Sequence, residues 1–309
     1  MRAIRPRLAI VLTCLAACSQ PEARPTESAA PPEPAAAQDH AMLFGEGVVS
    51  TSAPEFATAF SPEGETVYFN RASEDRSRLT LMGAELQDGV WNGARTLPFS
   101  GESRDVDPFV SPDGSRLFFS SDRPSEAGST GFDTWWVDRL EDGWGPPVRP
   151  GPPLNTEATE VFVSTSREGD LYFASDRDGT TRIYSSHLED GEYRVADVVA
   201  FDMNLAEGAG NPLISPDGQL LFFVFDREGG AGGADLYVTR REGGGWSPAR
   251  SLKAPANSPY ADFAPALSPD GKILYFTSER PGVVRDSPEG ERRPGDIFQV
   301  PLDAVLPEP

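Results

Sequence analysis

Ser268-Pro269-Asp270-Gly271-Lys272-Ile273-Leu274-Tyr275-Phe276 joins a tight-turn tetrad to an apolar-aromatic run, the signature of a β-hairpin entering a buried strand. The same unit recurs as Ser61-Pro62-Glu63-Gly64 before Val67-Tyr68-Phe69, Ser111-Pro112-Asp113-Gly114 before Leu117-Phe118-Phe119, and Ser215-Pro216-Asp217-Gly218 before Leu221-Phe222-Phe223. A weaker copy, Ser166-Arg167-Glu168-Gly169 before Leu171-Tyr172-Phe173, has lost one residue. That makes five copies about 50 residues apart, and a period of this length marks a repeat architecture. Working outward, each tetrad sits between a first and a second strand. A third strand is read in Thr134-Trp135-Trp136-Val137, Ile183-Tyr184, Leu236-Tyr237-Val238 and Ile297-Phe298-Gln299-Val300. A fourth follows an acidic or glycine turn and carries Trp91, Trp144, Tyr193 or Trp246. Four strands at this period make one propeller blade.

The last copy ends after its third strand, near Leu302, whereas Leu43-Phe44-Gly45-Glu46-Gly47-Val48-Val49 precedes the first copy without a unit of its own. The sequence therefore predicts an all-β, five-bladed propeller over residues 42–305, closed by an N-terminal strand that completes the last blade, with a tail at 306–309. The repeat resembles the WD-like propeller repeat of TolB-type proteins, and Asn257-Ser258-Pro259-Tyr260-Ala261-Asp262 leading to Arg280-Pro281-Gly282 resembles the repeats found with OmpA-like envelope lipoproteins. The likeness covers about 85% of the chain. It implies the fold more sharply than a function, and because TolB-type propellers usually have six blades, a six-bladed ring is the alternative.

Residues 1–17 have the layout of an export signal: Arg2, Arg5 and Arg7 precede an apolar run from Leu8 to Ala17 that is too short to span a bilayer. Leu15-Ala16-Ala17-Cys18 resembles the bacterial lipoprotein box, which implies lipidation of Cys18 and, with Ser19 following, an outer-membrane anchor facing the periplasm. Residues 18–41, rich in Pro and Ala, read as a disordered tether. The only other cysteine, Cys14, lies within the signal, so the mature chain has no internal disulfide.

Six residues before the turn serines stand Glu55, Asp105, Glu160, Ala209 and Asp262; after the second strands come Arg71, Arg123, Arg177, Arg227 and Arg280. Residues equidistant from a hairpin turn face one another, so acid and arginine are expected to pair across the strands. First strands line a propeller's axis, which places these pairs around the channel mouth. They either brace neighbouring blades or form a site for a cation or polar ligand, with Asp107, Glu157 and Glu207 adding charge. Ala209 leaves Arg227 without an acid and makes blade four the favoured entry point. Longer loops at 124–132, 228–233 and 281–295, with Arg285, Arg292 and Arg293 in the last, offer a recognition surface on the same face.

The 48 acidic against 27 basic residues give a net charge of −21, which repels nucleic acid. The only histidine in the folded part is His187, there is no G-x-S-x-G, and zinc and calcium motifs are absent, which argues against hydrolase and metal chemistry. The reading is a monomeric, non-catalytic binding or scaffold module for an envelope protein, peptide or glycan. No cofactor is expected, with a cation in the channel left open. The rival is a glycoside hydrolase using Glu55, Asp105, Glu160 or Asp262, although an arginine beside each should lower the pKa that a general acid needs raised.

Overall fold

The turn tetrads close their hairpins through their own side chains. Ser111 Oγ accepts from the Arg116 amide (3.0 Å) and donates to Asp113 Oδ1 (2.6 Å), which accepts from the Ser115 amide (3.0 Å). Ser215 with Asp217 and Ser268 with Asp270 repeat this arrangement. Gly114 takes the left-handed conformation (φ +73°) that a β-carbon would penalise.

A computed structural model describes residues 41–125, 131–201, 207–226, 229–284 and 293–308. Its hairpins build five antiparallel blades. Blade one comprises Glu55–Phe60, Thr66–Ala72, Leu79–Gln87 and Val90–Thr96; blade two Asp105–Val110, Arg116–Ser121, Asp133–Leu140 and Gly143–Trp144. Blade three comprises Glu160–Thr165, Leu171–Ser175, Arg182–Ser186 and Asp197–Val198. In blade four, Gly210–Ile214, Leu220–Asp226 and Ala234–Glu242 are followed by Gly245–Trp246 and Arg250–Ser251. Blade five joins Asp262–Leu267, Ile273–Ser278 and Asp296–Pro301 to Met42–Leu43.

The ring thus closes as the repeat count predicts, Met42 facing Gln299 and Leu43 facing Phe298. Only two residues pair, and the closure is completed by packing. Phe44 is buried against Tyr275 (4.8 Å between centroids), Trp91 (5.6 Å) and Phe60 (5.8 Å), and Val49 is fully buried in the same cluster. Ser50 Oγ also accepts from the Ile297 amide at 3.1 Å.

The core lies between blades rather than within one: Ala59, Tyr68, Leu81 and Leu97 of blade one pack on Val110, Leu117, Phe119 and Trp135 of blade two. The fourth strands carry Trp91 and Trp144 in blades one and two as expected, and differ in blades three and four. Tyr193 belongs to a separate hairpin, Leu188–Glu189 with Glu192–Tyr193, and the outer strand of blade three is Asp197–Val198. In blade four Trp246 pairs only with Arg241 at the hairpin tip, and Arg250–Ser251 returns to the third strand after Pro248 has interrupted the pairing. A short helix, Leu302–Val305, tucks Leu302 and Val305 into the core.

Candidate functional site

Every first strand breaks its register two residues after the acid position. Ala57, Asp107, Phe162, Asn211 and Ala264 all have left-handed backbones (φ +48° to +58°), and each marks a β-bulge. The kinks send backbone amides sideways into the neighbouring blade, where side chains receive them. Ala57 N donates to Thr277 Oγ1 (3.0 Å), Asp107 N to Asn70 Oδ1 (2.8 Å), Phe162 N to Ser120 Oγ (3.3 Å) and Ala264 N to Asn211 Oδ1 (3.0 Å).

Above this ring the four predicted ion pairs form: Arg71–Glu55 at 2.7 Å, Arg123–Asp105 at 2.6 Å, Arg177–Glu160 at 3.2 Å and Arg280–Asp262 at 2.9 Å. Their geometry is of two kinds. Arg71 faces Glu55 directly, whereas Asp105, Glu160 and Asp262 face Ser121, Ser175 and Ser278, with the arginine two residues on. In those three blades the serine hydroxyl accepts from the arginine's own amide and Nε. Each guanidinium also stacks on an aromatic ring, as Arg123 does on Phe119 (4.8 Å) and Arg280 on Phe276 (5.1 Å).

The expectation that these acids rim the channel mouth is corrected by their burial. Glu55, Asp105, Glu160 and Asp262 are fully buried, and none lines the axial cavity. They are turned instead toward the linker arriving from the previous blade. Glu55 accepts from Thr51 N and Oγ1, Asp105 from Ser100 Oγ, Glu160 from Thr156 N and Oγ1, and Asp262 from Ser258 N and Oγ. The arginines hold the same linkers by their carbonyls: Val48 O for Arg71, Phe99 O for Arg123, Pro153 and Leu154 O for Arg177, and Pro255 and Ala256 O for Arg280. Burial also reverses the expected pKa direction at two sites. It pushes the Glu55 and Asp262 carboxyls up, and the hydrogen bonds and the facing arginine only partly offset it.

Arg227, Arg285, Arg292 and Cys18 lie outside the described residues. Ala209 is fully buried among Phe201, Phe223 and Tyr237, so apolar packing occupies the place of the missing acid. Glu157 is exposed, and Glu207, also exposed, pairs with Arg182 at 2.6 Å. Asp107 alone of the predicted acids reaches the axis. Two residues that sequence reasoning missed are Asn155 and Asn257, which grip both the amide and the carbonyl of Thr134 and Leu236. Their signal was an asparagine directly before the linker Thr156 and Ser258, five residues ahead of the acid.

The axial cavity has a volume of about 220 Å³ and runs from the bulge ring to the turn prolines Pro62, Pro112, Pro216 and Pro269. Its wall is mostly apolar, including Phe60, Phe109, Val110, Ile214 and Leu267. Among the described residues no group of three or more metal-ligating side chains gathers anywhere, and no helix is long and apolar enough to cross a membrane.

No family profile matches this chain, and no curated protein matches it in sequence. Solved structures do resemble it. A protein from Agrobacterium tumefaciens assigned as TolB superposes with a TM-score of 0.51 at 20% identity, covering 83% of this chain and 80% of that one. TolB from Acinetobacter baumannii gives 0.47 at 16% identity over 79% of this chain, which spans 57% of that protein's length. A GH43 endo-arabinanase from Bacillus licheniformis gives 0.51 at 12% identity, covering 82% of this chain and 96% of that one. The class defined is thus a five-bladed β-propeller with TolB proteins among its structural neighbours; at these identities the likeness concerns fold alone.

Proposed function

We propose that the protein is a non-catalytic binding or scaffold module of the bacterial envelope, tethered in the periplasm through lipid on Cys18 to the outer membrane. It recognises an envelope protein, peptide or glycan through the loops joining second to third strands. The observation that supports this reading is the saturation of the four carboxylates. Each is enclosed by an arginine and by hydroxyl or amide donors from the adjoining linker, so the charged ring serves as a brace between blades, with Arg123 and Arg280 at the roots of the loops that follow them. A glycoside hydrolase needs two carboxyl groups open to a sugar, and full burial of Glu55, Asp105, Glu160 and Asp262 weighs against that rival.

Pull-down from envelope extracts, comparing the wild type with deletions inside 124–132 and 281–295, tests the reading. Partners lost with the loops support it; an unchanged partner set, or turnover of a polysaccharide abolished by Asp105→Asn in a folded protein, overturns it.

A further inference from the structure

The five turn tetrads come together at one end of the axial cavity, and one of them breaks the pattern. Pro62, Pro112, Pro216 and Pro269 line that end, and Arg167 takes the fifth place in their ring. Proline presets the backbone at this position of a turn. Blade three does without it: the Arg167 amide, a donor that proline lacks, bonds Pro216 O at 2.9 Å. That bond accounts for a residue other than proline, but not for a guanidinium. The Arg167 residue is exposed, and its side chain has no hydrogen-bond or ion-pair partner among the described residues. Asp217 feels its charge without pairing, and spends Oδ1 on Ser215 and Gln219 of its own turn.

No other residue of the lining offers a ligand a charge. The Asp107 carboxyl oxygens and Thr58 Oγ1 have essentially no accessible surface. The Ser111 and Ser268 hydroxyls are bonded to the aspartates of their own turns, and Ser164 Oγ is held between Pro212 O and the Ile214 amide. The rest of the wall is mostly apolar, with Phe60, Phe109 and Leu267 in it. A dry apolar cavity of roughly 150 Å³ takes up benzene, and this one has a volume of about 220 Å³. An apolar space with one cation at its rim complements a hydrocarbon chain that ends in an anion, and a guanidinium fork matches the two oxygens of a carboxylate.

We propose that the axial cavity binds a free aliphatic carboxylate of short to medium chain length, its carboxylate pairing with Arg167 at the rim and its hydrocarbon chain entering between the turn prolines. This goes beyond the loop-face reading and is independent of it, since the tetrads lie at the opposite end of the second strands from those loops.

Calorimetric titration of the full chain at pH 7 with sodium hexanoate, 1-hexanol and sodium propanoate in turn tests it. Salt at about 0.15 M confines the repulsion from the net charge of −21 to about 8 Å. The expected result is one hexanoate bound per chain, with hexanol weaker by roughly fivefold or more, the contribution of one charge-assisted contact that water partly screens. Propanoate should be weaker than hexanoate by roughly fourfold for each methylene removed. Arg167→Gln, verified as folded by circular dichroism, should bring hexanoate down to the affinity of hexanol and leave hexanol unchanged. No binding of hexanoate to the wild type, equal affinity for hexanol or propanoate, or undiminished hexanoate affinity in folded Arg167→Gln would each overturn the proposal. The wild-type comparisons hold even if the variant fails to fold.

Discussion

Arg280 Nη2 lies 2.9 Å from Asp262 Oδ1 with both side chains almost wholly out of solvent, while the same guanidinium clasps the Pro255 and Ala256 carbonyls of the preceding linker. One side chain thereby ties the start of a blade's inner strand, the end of its second strand and the connection to its neighbour. Removing one partner of such a pair strands the other charge. We expect Arg280→Ala to cost about 3–5 kcal/mol in urea denaturation. Arg71→Ala should cost less, because the Arg71 side chain is 26% exposed and water can replace part of what is lost.

Closure by packing makes a sharp prediction for Phe44. Truncation to alanine opens a cavity beside Trp91 and Tyr275 and should cost about 3–5 kcal/mol. Val195→Ala, at a site 78% exposed, should stay within about 0.5 kcal/mol in the same thermal or urea series.

The paired asparagines can be tested by hydrogen exchange. Asn257→Ala leaves the Leu236 amide without its acceptor and should cost about 1–3 kcal/mol. The Leu236 amide should exchange faster in the variant, as the Thr134 amide should in Asn155→Ala. Unchanged protection at those amides would remove the role assigned to both residues.

Asp296 gives the fold a pH dependence. Burial pushes its carboxyl up to about 6, with the Glu55 and Glu46 charges adding to the effect and the Val283 amide opposing it. The folded chain therefore holds a proton that the unfolded chain has released between roughly pH 4 and pH 6, and stability falls as pH rises through that window. Asp296→Asn, which keeps an acceptor for Val283, should unfold at higher temperature than the wild type at pH 7.5 and match it at pH 4. A wild-type advantage at pH 7.5 would contradict the assignment.

Much of the architecture was legible because the turn tetrads fix the hairpins locally, and because the unmatched segment at Leu43 and the missing fourth strand near Leu302 imply each other. The acid–arginine pairing was legible for the same reason, since distance from a turn sets which residues can meet. Their burial was not. It depends on a bulge at Ala57, Asp107, Phe162, Asn211 and Ala264, five residues of four different types that share no local signature, and a one-residue kink changes which face a side chain takes. Tyr193 misled for a related reason: an aromatic after a turn marks a hairpin tip as readily as an outer strand, and only pairing distinguishes them. The distinction of Asp107 among the acids was equally hidden, because spacing alone does not reveal which carboxylate lacks a donor.

The sharing of blade five between Met42–Leu43 and Asp296–Pro301 has a bearing on biosynthesis. Met42–Leu43 leaves the ribosome well before its partner Asp296–Pro301, so no nascent or truncated chain lacking residues 296–301 can seal the circle. Such products display Phe44 and Val49 without Ile297 packed on their cluster, a mark for chaperones and proteases to tell unfinished molecules from finished ones.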